Sequence, residues 1–192
     1  YWNGLYQAND TGWDIGYPSP PLKAYIDQLH DKSIRILIPG CGNSYEAEYL
    51  LQQGFTNITL IDIAPLLTAA LKEKFSAFSN GNLHIITGDF FEHQGQYDLV
   101  LEQTFLSALN PSMRNTYVSK MHALLHPAGR LVGVLFDKQF EVSPPYGGNA
   151  ETYRSLFERH FDIKVLAPCY NSIDRRQGAE LFVNLEVKAI AG

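Results

Sequence analysis

The fold of this chain is decided by the stretch Ile34-Arg-Ile-Leu-Ile-Pro-Gly-Cys-Gly-Asn-Ser-Tyr45, which is followed by Leu60-Ile-Asp62. It predicts a buried strand, a glycine turn, a helix and a second strand that ends in an acid. Glycines let the backbone approach a ligand closely, and a carboxylate in this place accepts hydrogen bonds from ribose hydroxyls. Asp62 follows Gly42 by 20 residues, close to the spacing of ribose acids in such units. The pattern indicates a nucleoside site in an α/β sheet.

The kind of nucleoside follows from the detail of the turn. A dinucleotide fingerprint needs a third glycine where this chain has Tyr45, so NAD and FAD are disfavoured. A ligand with a ribose and no phosphate fits better, and S-adenosylmethionine is the common one. Two structural interpretations stay open: Gly40 and Gly42 form a tight turn that holds no ligand, or Asp62 caps the helix that begins near Pro65.

Length and charge bound the class of protein. The 192 residues suit one domain over 1–192, and the net charge is −5. No run of Lys or Arg exceeds two residues, and no apolar run approaches the ~20 residues of a membrane span. We therefore expect neither a nucleic-acid nor a membrane partner. Two cysteines give no disulfide framework, so we expect a cytoplasmic protein.

Strands and helices alternate along the chain. Helices are predicted from Pro18 to about His30 and over 44–53, 65–78, 111–125 and 150–160, and strands over 34–38, 58–63, 83–87, 97–101, 130–136, 162–167 and 180–188. Such alternation predicts a doubly wound, mostly parallel α/β sheet with ligands beyond the carboxyl ends of its strands. Residues 1–30 form a predicted aromatic cover, and the Pro/Gly-rich segment 137–149 is a predicted substrate loop.

Further candidates follow the third and fourth strands. Asp89 can accept from an exocyclic amine and Phe90 can cover an adenine face, although a capped turn and a core aromatic explain them as well. Glu102 can hold the amino group of a ligand or orient a substrate; an exposed carboxylate is the alternative. Cys41 has no marked partner base, which argues against a nucleophile.

The remaining candidate residues are histidines and aromatic residues. His122 and His126 lie four residues apart on one helix, but no acid joins them at metal spacing, so we predict no metal site. The aromatic residues outside the sheet units either pack as a plain cover or stabilise a sulfonium and exclude water: Trp2, Tyr6, Trp13, Tyr17 and Tyr146.

At these residues the chain resembles the thiopurine, halide and thiol S-adenosylmethionine-dependent methyltransferases, over nearly its whole length. The similar segments are Trp13-Asp-Ile-Gly-Tyr-Pro-Ser-Pro20, Ile38-Pro-Gly-Cys-Gly42, Asp62, Gly88-Asp-Phe-Phe91, Ala108-Leu-Asn-Pro-Ser-Met-Arg114 and Ser143-Pro-Pro-Tyr146. The first segment is similar to the branch that methylates halides, thiocyanate and small thiols. Thiopurine enzymes carry an arginine at the position of Gln103 and a glycine at that of Ser143, which puts a purine thiol in doubt.

The resemblance implies a seven-stranded sheet with an antiparallel last strand and a small-molecule acceptor, and we expect a monomer. It implies that Gly40 and Gly42 line the methionine part of the cofactor, that Asp62 binds the ribose, and that Asp89 and Phe90 bind the adenine. Ile63, Trp2, Trp13 and Glu102 are further predicted cofactor contacts, and the predicted acceptor-orienting residues are Tyr6, Tyr17, Tyr146 and Glu102. Methylation of thiopurines or of selenium and tellurium compounds, and cofactor binding without catalysis, are the alternatives.

Overall fold

A computed structural model describes residues 1–78 and 81–189, so the predicted domain limit at residue 192 lies outside the described residues. Within them, seven strands form one sheet in the order β3-β2-β1-β4-β5-β7-β6. The strands are β1 (Ile36–Pro39), β2 (Ile58–Asp62), β3 (Leu83–Thr87), β4 (Tyr97–Gln103), β5 (Leu125–Phe136), β6 (Phe161–Pro168) and β7 (Glu180–Val187). The helices are α1 (Trp2–Gln7), α2 (Pro20–Ile26), α3 (Tyr45–Gln52), α4 (Pro65–Lys74), α5 (Phe105–Ala108), α6 (Arg114–Leu124) and α7 (Ala150–Phe157). The predicted seven-stranded, mostly parallel architecture is confirmed.

The strand β1 shows why the central strands are continuous apolar runs. Leu37 packs into the hydrophobic cluster on one face of the sheet, whereas Ile36 and Ile38 pack into the cluster on the other face. Successive side chains of a strand point to opposite faces, and helices cover both faces of this sheet. All four residues of β1 are buried as a result.

The last strand reverses direction, as predicted. β7 lies between β5 and β6 and is antiparallel to both, with Glu180 opposite Phe136. Because of this reversal, the segment that precedes β7 reaches the same edge of the sheet as the carboxyl ends of the parallel strands. A short 3₁₀ turn, Asp174–Arg176, therefore lies at that edge.

Several element bounds differ from the sequence-based expectations. The aromatic segment 1–17 contains the short helix α1, and α2 ends at Ile26 instead of near His30. The helix α5 was not expected, because four residues are too few to show a helical period. In the part of the chain that is described, none of the helices has the length and apolar character needed to cross a membrane.

Candidate functional site

The carboxyl edge of the sheet borders a cavity of about 660 Å³, a size typical of small-molecule sites. It lies at a topological switch, because β2 flanks β1 on one side and β4 flanks it on the other. From β3 to β7 the wall includes, in order, Asp89 and Phe90, Asp62 and Ile63, Gly40, Gln103 and Thr104, Phe136 and Lys138, and finally Arg175 and Arg176. We call the part with Asp62 and Asp89 the acidic end and the part with Lys138, Arg175 and Arg176 the basic end.

The glycine turn adopts left-handed backbone conformations at Gly40 (φ 55°), Gly42 (φ 52°) and Ser44 (φ 56°). Gly40 also packs so closely against Phe105 that a Cβ atom there would lie 2.9 Å from Cγ of that ring. Only glycine meets both demands without strain. Ser44 does not cap α3 as its position suggests, because its hydroxyl donates to the carbonyl oxygens of Cys41 (3.0 Å) and Gly42 (3.2 Å) within the turn.

Asp62 ends β2 and is 9% exposed. Its Oδ1 accepts from the backbone N–H of Ala64 at 3.0 Å, and its Oδ2 lies 3.5 Å from the backbone nitrogen of Gly42. Burial raises the pKa of this carboxyl group, and the backbone hydrogen bonds only partly oppose that rise. The carboxylate therefore holds the turn before α4 without capping that helix, whose N-cap is Ala64, and it also borders the cavity. Ile63 is 56% exposed at the rim.

The segment after β3 also serves two purposes. Asp89 closes its own turn by accepting from the N–H of Phe91 at 2.8 Å, and it borders the cavity. Phe90 is buried and packs edge-on against Phe105, with 5.1 Å between ring centroids. The same ring is core on one side and cavity wall on the other.

The N-terminal aromatic residues close one side of the cavity. Trp13 meets Trp2 and Tyr6 edge-on, at centroid distances of 5.4 and 5.7 Å. All three rings line the cavity. Burial and the charge of Asp62 raise the pKa of Tyr6, so its hydroxyl stays protonated and can donate a hydrogen bond.

Polar contacts hold this segment to α3. The carboxylate of Asp14 accepts from the side chains of Asn43 and Tyr45, and Glu46 accepts from the backbone N–H of Ser19 at 2.8 Å. Tyr45, which replaces the third glycine of a dinucleotide fingerprint, therefore anchors the aromatic cover.

Two arginines that the sequence analysis did not single out hold the same segment from the β7 side. The Nη2 atom of Arg175 donates to the carbonyl oxygen of Asp14 (3.1 Å), and that of Arg176 donates to the carbonyl oxygen of Trp13 (3.0 Å). Arg176 also lies 3.7 Å from a carboxylate oxygen of Glu180. In the sequence, they can be recognised by their position shortly before the antiparallel strand β7.

Glu102 does not line the cavity, and the predictions of a ligand contact and of an exposed carboxylate both miss its position. Its side chain is fully buried and accepts from the N–H groups of Phe105 (2.6 Å) and Leu106 and from the hydroxyl of Tyr117 (2.6 Å). Burial raises the pKa of Glu102 to about 7 against these hydrogen bonds. The carboxylate holds the sharp turn from β4 into α5, where Thr104 has a φ of 60°.

Two predicted acceptor-orienting tyrosines also lie off the main cavity. Tyr17 is 49% exposed and borders a side pocket of about 70 Å³ next to the glycine turn. Tyr146 is half-buried and is not among the lining residues; its N–H donates to the carbonyl oxygen of Ser107 at 2.7 Å. In the loop 137–149, the residues that reach the cavity include Pro144 and Pro145.

The remaining candidates, a cysteine and two histidines, belong to the packing of the fold. Cys41 is buried, and burial raises the pKa of its thiol to about 12, which is unsuited to a nucleophile. His122 lies on α6 but His126 lies in β5, so the two are not on one helix as predicted, and His122 packs against His160 with 5.3 Å between ring centroids. Over residues 1–78 and 81–189, no three His, Cys, Asp or Glu side chains converge on a metal position. Gln103 leaves its Oε1 buried without a hydrogen-bond partner, at the junction of the cavity and the side pocket.

Comparisons with known proteins identify the relatives of this chain. The model of the thiopurine S-methyltransferase family matches residues 1–182. A probable thiol methyltransferase of Arabidopsis thaliana is 27% identical over 159 residues, covering 81% of this chain and 70% of its own length. A thiopurine S-methyltransferase of Acinetobacter baylyi is 29% identical over 188 residues, covering 86% of each chain.

The fold is also similar to that of solved structures. The 1,6-didemethyltoxoflavin-N1-methyltransferase of Burkholderia thailandensis, solved with bound 1,6-didemethyltoxoflavin and S-adenosylhomocysteine, superposes with a TM-score of 0.79. The match covers 98% of this chain and 86% of the other at 18% identity, which is evidence for a shared fold alone.

Proposed function

The chain belongs to the thiopurine S-methyltransferase family, and from that premise we propose that it methylates a small soft nucleophile, namely a thiol, thiocyanate or a halide. It is an S-adenosylmethionine-dependent methyltransferase, as the members of this family are. The observation that carries the proposal on the acceptor is the polarity of the cavity. Carboxylates lie at the acidic end, where a nucleoside fits, and cations and aromatic rings lie at the basic end, where an anion fits.

In this proposal the cofactor spans the acidic end. Asp62 accepts from the ribose hydroxyls with the oxygen that faces Gly42, and Asp89 and Phe90 bind the adenine. The methionine part passes Gly40, and the free Oε1 of Gln103 suits its ammonium group. Each assignment rests on the position of the side chain along the carboxyl edge and on the chemistry of its polar atoms.

The aromatic cover then lies over the reacting groups. Trp2, Tyr6 and Trp13 present three rings to one side of the cavity, and aromatic faces attract a sulfonium cation. Their packing also limits the access of water, which strengthens the attraction between the cation and an anionic acceptor. The cover can therefore serve both binding and the chemical step.

The transfer itself is an in-line displacement. The acceptor supplies an electron pair to the methyl carbon, the carbon–sulfonium bond breaks, and its electron pair stays on the sulfur of S-adenosylhomocysteine. Orientation of the two groups supplies on the order of 7–11 kcal/mol in favourable cases. A halide or thiocyanate loses no proton, and a thiol reacts as its thiolate after losing a proton to solvent. The described lining residues contain no histidine, which suits a reaction that needs no strong base.

A thiopurine acceptor is a second candidate, favoured by the name of the Acinetobacter baylyi relative and by the size of the cavity. Gln103 stands where thiopurine enzymes carry an arginine, so we expect a thiopurine to be a poor substrate.

The test is an acceptor panel with isotopically labelled S-adenosylmethionine. It includes iodide, bromide, thiocyanate, hydrosulfide, small thiols, a thiopurine, selenite and tellurite. We expect kcat/KM to be highest for a thiol or a soft anion. A thiopurine that exceeds every small acceptor would overturn the assignment, and bound cofactor without any methyl transfer would indicate a binding protein.

A further inference from the structure

The basic end of the cavity contains Lys138, whose side chain has no part in the contacts that hold the glycine turn or the aromatic cover. Lys138 follows the end of β5, and Phe136, Lys138 and Phe140 all line the cavity, as alternate residues of an extended segment do. A bridge between Lys138 and Gly148 keeps this segment extended. Lys138 is itself exposed, and its side chain lies at the wall of the cavity.

The aromatic neighbours of Lys138 fix its ammonium group. The rings of Phe136 and Phe140 meet edge-on at a centroid distance of 4.9 Å. Nζ of Lys138 lies 4.7 Å from the centroid of Phe140, and the guanidinium of Arg176 lies 5.4 Å from that of Phe136. The two rings therefore separate two cations and hold both at the cavity wall.

The cations at this end form a single ion pair among the described residues. Over the described residues, Nζ of Lys138 has neither a carboxylate within 4.0 Å nor a hydrogen-bond partner, and Arg175 has no ion pair. Glu180 offsets Arg176 alone. Asp62 ends β2 and Asp89 follows β3, so both lie at the other end of the edge. A lysine ammonium offers three donors, so an anion bound here would complete its hydrogen bonding.

The cavity is also longer than a bare anion requires. Its wall continues past β4, along β5 and the turn before β7, and includes Leu109, Met113, Pro144 and Pro145. A single halide or hydrosulfide ion at the methyl group would leave this apolar wall without contacts. An acceptor with a carbon chain would contact this apolar wall and extend towards Lys138.

We propose that Lys138 is a specificity determinant that binds a carboxylate carried by the acceptor, so that the preferred substrate is a short thiol acid rather than a neutral thiol or a bare anion. The inference rests on the proposed methyl transfer to thiols and narrows it to one substrate class. The thiolate sulfur forms the new bond to the methyl carbon, the thiol proton goes to solvent, and the carboxylate takes no part in bond making. Its ion pair with Lys138 strengthens the binding of the acceptor and therefore lowers KM.

The test compares 3-mercaptopropionate with the neutral 3-mercaptopropanol, which presents its thiol on a chain of the same length. For the unaltered protein we expect a lower KM for the acid. In the Lys138→Gln variant the ratio of the two KM values should move against the acid about three- to thirtyfold, the effect of a partly exposed charge-assisted hydrogen bond. Lys138→Arg should retain most of the preference. Lys72→Gln, which removes an exposed charge on α4, is the matched control and should leave the ratio unchanged.

A binding measurement makes the outcome independent of turnover. Calorimetry of 3-mercaptopropionate with the protein saturated by S-adenosylhomocysteine should detect binding that Lys138→Gln weakens by a similar factor. Equal ratios in the unaltered protein and in Lys138→Gln, with the neutral thiol methylated, would overturn the role of Lys138 and leave the proposed function intact. Failure of every thiol and anion to be methylated would refute the proposed function instead, and the calorimetric comparison would still decide the role of Lys138.

Discussion

The Asp62→Asn variant keeps the shape of the side chain and removes a charge from the acidic end of the cavity. Its amide oxygen can still accept from the N–H of Ala64, as Oδ1 does at 3.0 Å. Its amide nitrogen would face the N–H of Gly42, where Oδ2 now lies 3.5 Å away, and the ribose would lose a charged acceptor. Charge-assisted hydrogen bonds contribute about 1.5–3 kcal/mol, so we expect Kd for S-adenosylmethionine to rise roughly tenfold to 150-fold.

The same substitution should not destabilise the free protein. Burial raises the pKa of Asp62 above its ordinary value of 3.8, so ionisation of this group disfavours the folded state. That cost is complete above the raised pKa and fades as the pH falls towards 3.8. Asparagine does not ionise and so avoids this cost, while its amide nitrogen gives up the weak contact that Oδ2 now makes with the N–H of Gly42. We therefore expect the free energy of unfolding at neutral pH to change little while the affinity for S-adenosylmethionine falls.

Calorimetric titration with S-adenosylmethionine and urea unfolding of the free protein measure the two quantities. The matched control is Asp31→Asn, because Asp31 is an exposed carboxylate before β1, at the opposite edge of the sheet, where it accepts from Ser33. It should leave Kd unchanged. A folded Asp62→Asn protein with unaltered affinity would remove this carboxylate from the ribose site, and a large loss of stability would refute the reasoning on burial.

Three further predictions concern the turns at the site and the reaction. Gly40→Ala should lower the free energy of unfolding, measured in urea, by about 2–5 kcal/mol, because the strain of a left-handed conformation and a clash with Phe105 add together. The control is Gly54→Ala, where φ is 86° and nothing lies within 4 Å of the new Cβ, so only the strain of the left-handed conformation should lower the stability. Burial raises the pKa of Glu102 to about 7, so the free energy of unfolding should fall as the pH rises from about 4.5 to about 7. The Glu102→Gln variant should lack this fall in a series of urea midpoints measured at different pH values. Identical pH profiles for the two proteins would contradict the burial of the charge. Methylation rates for alkyl thiols should rise with pH as thiolate forms, while rates for iodide or thiocyanate stay flatter; parallel pH profiles would contradict attack by the thiolate.

The order of strands and helices was predictable because burial on both faces of the sheet leaves continuous apolar runs such as 36–39. The lengths of the elements were less accessible. The helix α5 consists of four residues held by the buried carboxylate of Glu102, and that contact is tertiary. β5 begins at Leu125, whereas the sequence predicts this strand only over 130–136. Local propensity gives way in both places to contacts that no local pattern contains.

The site residues also fall into those whose place the sequence shows and those whose place depends on tertiary contacts. Gly40, Asp62 and Asp89 were accessible because each follows a parallel strand, and the topology alone brings such positions together. Glu102 also follows apolar residues of a strand, but the sequence does not show on which face its side chain lies or that Tyr117 meets it. Lys138 lies in the predicted substrate loop but was not singled out, and the arginines before β7 were missed because the reversal of β7 is what brings them to the cavity.

That reversal has a consequence for the order in which the molecule can be assembled during its synthesis. β6 precedes β7 in the chain, but its sheet partner is β7, so it has none until that strand has been made. The residues proposed to hold the cofactor all lie before residue 106, whereas the basic end needs the turn and strand over 174–187. Long-range pairing of this kind forms late. The basic end therefore cannot be completed until the last strands of the chain have been made, whereas the residues proposed to bind the cofactor are synthesised earlier.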